Sequence, residues 1–133
     1  MRASAYDVPV DVAAPTCLIV DDSARFVELA GSLLERDGIE VIGTAASSSE
    51  ALSAAADLRP EVVLVDIDLG GESGFELARQ LVAAGHSRVI LISANAESDF
   101  VDLIESSPAL GFIAKTELSA TAVHDLVGRS ATG

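Results

Sequence analysis

Five short apolar runs, each followed by a segment of helical periodicity, constrain this chain more than any other feature. The runs are Cys17–Val20, Glu40–Thr44, Val62–Val65, Arg88–Ile92 and Gly111–Ala114. Such alternation is the pattern of successive βαβ units, whose crossover helices bring the next strand back parallel to the last. Most of the runs are apolar at consecutive positions, as strands covered by helices on both faces must be. With right-handed crossovers, the expectation is an α/β fold: a doubly wound five-stranded parallel sheet of order 2-1-3-4-5, with helices on both faces.

Between the runs, Phe26, Leu29, Ala30, Leu33 and Leu34 fall on one helical stripe that ends before Gly38. Ser47-x-x-Glu50 is a capping-box pattern that opens a second helix, which stops before Pro60. Ser73 caps a third, with Phe75, Ala78, Leu81 and Val82 as its stripe. A fourth is expected near Ser98–Ser106, carrying Phe100, Leu103 and Ile104 and closed off by Pro108, and a fifth carries Leu118, Ala122, Val123, Leu126 and Val127. Residues 1–15, punctuated by Pro9 and Pro15 and without periodicity, are expected to be a flexible tail, 16–129 one domain, and 130–133 a short C-terminal tail.

Composition narrows the function classes. The 133 residues hold 21 Asp plus Glu against 8 Lys plus Arg, a net charge of −13. Nucleic-acid affinity comes largely from basic residues neutralising phosphates, so direct nucleic-acid contact and an anionic membrane surface are both disfavoured. No apolar run reaches the roughly 20 residues of a transmembrane helix, and Met1–Thr16 lacks the apolar centre of a signal peptide. A cytoplasmic location is expected. One cysteine, Cys17, excludes an internal disulfide and a thiolate metal cluster, and its apolar neighbours mark a buried strand thiol.

In a doubly wound sheet, ligands sit beyond the carboxyl ends of the strands, where the strand order reverses. Asp21 and Asp22 follow the first run, Asp66 the third, Ser93 the fourth and Lys115 the fifth. Three converging carboxylates repel one another unless a cation joins them. Hard carboxylate oxygens suit Mg2+, which keeps several waters and holds phosphate oxygens. The cluster carries about −3, and Mg2+ with Lys115 supplies about +3, which leaves a neutralised pocket for a phosphoryl group. Asp21-Asp22 alone would be an ordinary acidic pair before a helix. Its register with Asp66, Ser93 and Lys115 points to a site.

The segments LIVDDSARFVELAGSLLERDG, VVLVDIDLGGESGFELARQL, VILISA and GFIAKTEL resemble, in order, the receiver domain of two-component response regulators across Thr16–Gly128. The resemblance implies the flavodoxin-like receiver fold. It also implies that Asp66 takes a phosphoryl group from the phosphohistidine of a sensor histidine kinase. The implied Mg2+ ligands are Asp21, Asp22, Asp66 and the backbone carbonyl of Asp68. Lys115 and Ser93 would contact phosphoryl oxygens, with Ser93 moving inward and Phe112 turning to fill the space behind it. Asp68 and Asn95 would border the path of the hydrolysing water and tune the lifetime of the aspartyl phosphate. The output would pass through helix four, strand five and helix five to a partner or output domain. Such a protein phosphorylates and dephosphorylates itself at Asp66 without being a turnover enzyme.

One alternative has a different chemistry. Asp66-x-Asp68 also resembles the nucleophile motif of haloacid-dehalogenase-like phosphatases, but there the D-x-D comes first and the acidic pair last. Here Asp21-Asp22 comes first. Two departures from the receiver pattern matter: Gly70-Gly71 stands where many receivers carry proline, which predicts a looser loop, and Thr116 follows Lys115 where proline is frequent.

Overall fold

The computed structural model describes residues 15–86 and 88–132, the last four of them as backbone only. Strands β1 (Thr16–Val20), β2 (Glu40–Ala45), β3 (Val62–Asp66), β4 (Val89–Ser93) and β5 (Gly111–Ala114) form one sheet in the order β2-β1-β3-β4-β5. Every pairing in it is parallel. Helices α1 (Ala24–Arg36), α2 (Ser48–Leu58), α3 (Gly74–Ala83), α4 (Val101–Glu105) and α5 (Ala120–Thr132) form the crossovers and the C-terminal cover. The expected class, strand number and order are those observed.

Alternation along the strands divides the core in two. Leu18, Val20, Val63, Val65 and Leu91 join Ala51, Ala55, Leu77, Ala78 and Leu81 of α2 and α3 on one face. Cys17, Ile19, Val62, Leu64, Ile90 and Ile92 join Ala30, Leu34 and Val123 of α1 and α5 on the other. Each fully buried Leu, Ile or Val contributes about 1.5–3 kcal/mol. Two such layers offset the cost of placing carboxylates at the end of β3, a strand that is buried throughout.

Helix boundaries follow local chemistry. At α2, Ser47 Oγ accepts the Glu50 N–H at 3.2 Å, while Glu50 Oε1 reaches back to the Ala46 N–H at 2.9 Å, one residue further than a standard capping box. Arg59 ends it in the left-handed region (φ 51°), since the residue before Pro60 is barred from continuing the helix. In α1 the buried line is Ala30 and Leu34 with Phe26 and Val27 beside it, and Leu29 of the expected stripe is 61% exposed. A sheet touches a helix along a narrow line, so the wing of a wide stripe is left in solvent.

Three expectations need correction. The fourth helix is not continuous over Ser98–Ser106: a 3-10 turn at Glu97–Asp99 breaks at Phe100 (φ −134°, ψ 21°) before α4 begins. The Phe100 ring turns in against Phe75, centroids 6.4 Å apart, and Phe100 and Ile104 pack on the core while Leu103 is 50% exposed. With acids at Glu97, Asp99, Asp102 and Glu105, little apolar surface remains to hold a longer helix. At the C-terminus, α5 runs through Thr132 and so enters the segment 130–133 expected as a tail. The loop after Asp66 is a paired hairpin rather than a loose turn: Asp68–Leu69 pairs antiparallel with Glu72–Ser73 across Gly70 (φ 58°) and Gly71 (φ 100°). Positive φ at both central residues is what a type I′ turn demands. Glu72 Oε1 then accepts the Ser48 N–H at 2.9 Å, which ties this hairpin to the start of α2.

Of the expected N-terminal tail, residues 1–14 lie outside the described residues; the carbonyl of Pro15 accepts the Glu40 N–H at 2.9 Å. The Lys115–Thr116 bond is trans, as are all described peptide bonds. No described helix is long and apolar enough to cross a membrane.

Cys17 is fully buried in β1, and burial pushes its thiol from 9.0 up to about 12. The unfolded chain therefore loses this proton at a pH where the folded chain keeps it. Its contribution to stability is intact below pH 9 and is lost as pH rises towards 12. Wild type is expected to lose up to about 1.4 kcal/mol per pH unit more than Cys17→Val over that alkaline range, read by urea denaturation. Equal pH slopes would remove Cys17 as the cause. At neutral pH the native thiol should resist iodoacetamide until the chain unfolds.

Candidate functional site

Four strand ends supply the site. Asp21 and Asp22 follow β1, Asp66 ends β3, Ser93 ends β4 and Lys115 follows β5. Because β1 and β3 are neighbours and β4 and β5 come next, these residues converge on one cavity of about 250 Å³, lined also by Asp68, Gly70 and Asn95. Among the described residues, Asp21, Asp66 and Ser93 are the buried polar side chains, at 2%, 5% and 2% exposure. Asp22, Asp68 and Asn95 stand at the exposed mouth.

The three buried polar side chains turn in the same way. Asp21 Oδ1 accepts the Ser23 N–H at 2.8 Å, Asp66 Oδ1 the Asp68 N–H at 3.1 Å, and Ser93 Oγ the Asn95 N–H at 3.0 Å. Each folds onto the backbone two residues ahead, the local bond that Asp and Ser use to start a turn. The turn fixes one carboxylate oxygen and leaves the other, Oδ2, for the cavity. At Ser93 the accepted bond leaves the hydroxyl hydrogen free to donate.

Lys115 Nζ takes up those second oxygens. It donates to Asp66 Oδ2 at 3.1 Å and lies 2.7 Å from Asp21 Oδ2. The Asp21 contact is the shorter but is not aligned as a hydrogen bond, so Asp21 Oδ2 is buried without a hydrogen-bond partner. Two buried carboxylates share one ammonium, and the negative charge left over invites a second cation. One carboxylate oxygen from each of Asp21, Asp22 and Asp66 lies within 4.8 Å of the others. Hard oxygens and negative charge in excess of the one lysine together fit a divalent cation of the Mg2+ type.

The electrostatics agree. Burial is the largest influence on Asp66 and raises its carboxyl above the ordinary range, with Asp21 adding repulsion; the Asp68 N–H and Lys115 pull the other way and do not overcome it. Burial by itself would lower the Lys115 ammonium, but its close pairing with the Asp21 and Asp66 carboxylates outweighs burial and holds it above 10.5. The lysine is firmly charged, whereas Asp66 is under-compensated.

Phe112 is not brought into this cavity. It packs on the α2–α3 side of the core and lines a separate hollow of about 230 Å³ with Ile113, Glu117, Ala122, Asp125 and Leu126. Two residues that sequence reasoning passed over are placed at the site. Ser23 gives its N–H to Asp21 and caps α1, and a Ser two residues after an Asp was a legible signal for it. At Gly74, a Cβ would stand 2.1 Å from the Asp66 carbonyl oxygen, so only glycine lets α3 start against the end of β3. Gly70 also leaves room: a Cβ there would come within 2.9 Å of Asp22 Oδ2.

Comparison with known proteins accords with this geometry. The model of the response regulator receiver domain matches residues 17–126, which include every residue named in the cavity. A protein-glutamate methylesterase/protein-glutamine glutaminase of Koribacter versatilis is 38% identical over 79 residues, covering 59% of this chain and 22% of that protein. The chain thus spans under a quarter of that relative's length. The signal receiver domain of a modulated diguanylate cyclase from Desulfovibrio desulfuricans aligns at TM-score 0.71 and 32% identity, over 86% of this chain and 91% of that one. The NarL signal receiver domain of Mycobacterium tuberculosis aligns at TM-score 0.74 and 27% identity, over 90% and 97%. Nothing among these relatives supports the phosphatase alternative built on Asp66 and Asp68. With a match across all four strand ends and the sheet order that joins them, the chain belongs to the response regulator receiver domain family.

Proposed function

We propose that this domain accepts a phosphoryl group on Asp66 from the phosphohistidine of a sensor histidine kinase. The observation that carries the reading is the buried, under-compensated Asp66 carboxylate, whose Oδ2 faces the cavity and is held by the chain's single lysine. In the transfer, an Asp66 carboxylate oxygen forms a bond to phosphorus, the phosphorus–nitrogen bond breaks in line, and the imidazole leaves with its electron pair. Lys115 exchanges its Asp66 contact for a phosphoryl oxygen and keeps Asp21. The Ser93 hydroxyl donates to a second phosphoryl oxygen. Asp21, Asp22, Asp66 and the Asp68 carbonyl would hold Mg2+, which when bound neutralises the negative charge brought by the phosphoryl group.

Asp68 and Asn95, at the mouth, meet the water that later hydrolyses the aspartyl phosphate. Phe112 and Ser93 couple the site to the face formed by α4, β5 and α5, which signals to a partner or output domain in the cytoplasm. This is a switch, not a turnover enzyme. Its test is incubation with a small phosphodonor and Mg2+ followed by mass mapping: one phosphoryl group should appear, on Asp66. An adduct elsewhere, or none, overturns the reading.

A further inference from the structure

Lys115 is the only lysine of the chain, and its ammonium lies 4.3 Å from the centroid of the Phe26 ring. An aromatic face attracts a cation within about 6 Å, more strongly when water is partly excluded. The Lys115 side chain is only 18% exposed. We propose that Phe26 is a positioning residue for Lys115: its ring holds the ammonium between Asp21 and Asp66 and thereby sets how fast Asp66 is phosphorylated. This rests on the reading of Asp66 as the acceptor.

The contacts close into a circuit. Asp21 Oδ1 accepts the Ser23 N–H at 2.8 Å, Ser23 Oγ accepts the Phe26 N–H at 3.2 Å, the Phe26 ring meets Lys115, and Lys115 returns to Asp21 Oδ2 at 2.7 Å. The carboxylate that attracts the lysine therefore also fixes the helix cap from which the ring projects. Phe26 is half-buried and packs on the α1–α5 side of the core, so packing sets its orientation.

A lysine needs such a support more than an arginine would. Its compact charge sits on a flexible four-carbon stem and makes no planar, two-pronged bond to a carboxylate. When Asp66 is phosphorylated, its Oδ2 ceases to be a free anion, and Lys115 must turn to the phosphoryl oxygens. Asp21 and the Phe26 ring are the two contacts that survive this exchange, and they restrict the ammonium to a short swing. A mere core role for Phe26 would require bulk alone, which an aliphatic side chain also supplies.

One lysine gives one unambiguous probe. With lysine labelled by 13C at Cε, the Lys115 Hε protons of the metal-free wild type should be shifted upfield by the ring current. Phe26→Leu should abolish that shift and Phe26→Tyr should keep it, while circular dichroism confirms that both fold; Phe26→Met is the second aliphatic variant should Phe26→Leu fail to fold. With a small phosphodonor and Mg2+, the aliphatic variant should be phosphorylated about 2- to 30-fold more slowly than wild type, and Phe26→Tyr at nearly the wild-type rate. An Hε position that does not move in the aliphatic variant, or an aliphatic variant as fast as wild type, overturns the proposal. If wild type itself takes up no phosphoryl group, the acceptor reading is what fails, and the Hε shift alone then decides whether Phe26 holds Lys115.

Discussion

With Mg2+ and a small phosphodonor, Asp66→Asn is expected to take up no phosphoryl group, and Lys115→Ala to take it up about 100- to 1,000-fold more slowly than wild type. Asparagine keeps the size of Asp66 and an oxygen for the Asp68 N–H, but it has no anionic oxygen with which to attack phosphorus. Lys115 acts on charge instead: among the described residues it is the sole cationic side chain lining the cavity, and the transfer adds negative oxygens there. Its removal should also destabilise the metal-free fold by about 3 kcal/mol, because Asp21 and Asp66 are left buried without a counter-charge. The ammonium is held above 10.5, so the lysine's own titration removes its stabilising contribution only as pH rises through the raised value. The deficit of Lys115→Ala should also shrink as pH falls through the raised Asp66 value, where Asp66 takes a proton and the repulsion ends. Mass spectrometry of time courses and urea denaturation at several pH values check both parts. A Lys115→Ala protein that is phosphorylated at the wild-type rate would remove the lysine from the mechanism.

How much of this was legible in the sequence depended on whether a neighbour in sequence or in space decided the matter. The strands were legible because burial on both faces leaves continuous apolar runs, and the site because the ends of parallel strands are adjacent by topology. Asp21, Asp66, Ser93 and Lys115 are thus brought together by strand order alone. The break at Phe100 was not legible, since it depends on Phe75, a residue on another helix. Leu29 matched the periodicity of α1 but faces solvent, because periodicity does not report the width of the surface that receives the helix. Gly70-Gly71 read as looseness, whereas two positive φ angles close a hairpin. Phe26 read as the first residue of a core stripe; its contact with Lys115 joins residues far apart in sequence, which no periodicity encodes.

Without divalent cations, Asp66→Asn is expected to melt at a higher temperature than wild type, and Mg2+ should reverse the order. Burial raises the Asp66 carboxyl above its ordinary 3.8, so at neutral pH the folded chain holds a carboxylate that the unfolded chain holds more cheaply. That penalty is absent below pH 3.8 and grows as pH rises through the raised folded value. Asparagine removes it, and each 1 kcal/mol recovered raises the melting temperature by about 3–6 °C in a domain of this size. A cation bound only by the folded state acts in the opposite direction, adding about 1.4 kcal/mol when its concentration is tenfold above its dissociation constant. Wild type should gain most of this, and Asp66→Asn and Asp22→Ala much less, because each lacks one of the three clustered oxygens. Asp22→Ala is the sharper control: Asp22 is exposed, so its loss should change metal-free stability by no more than about 0.5 kcal/mol. Thermal scans with Mg2+ and with a chelator separate the two effects. Equal Mg2+ stabilisation of all three proteins would show that the cation binds elsewhere, and a lower metal-free melting temperature for Asp66→Asn would show that Lys115 compensates Asp66 fully after all.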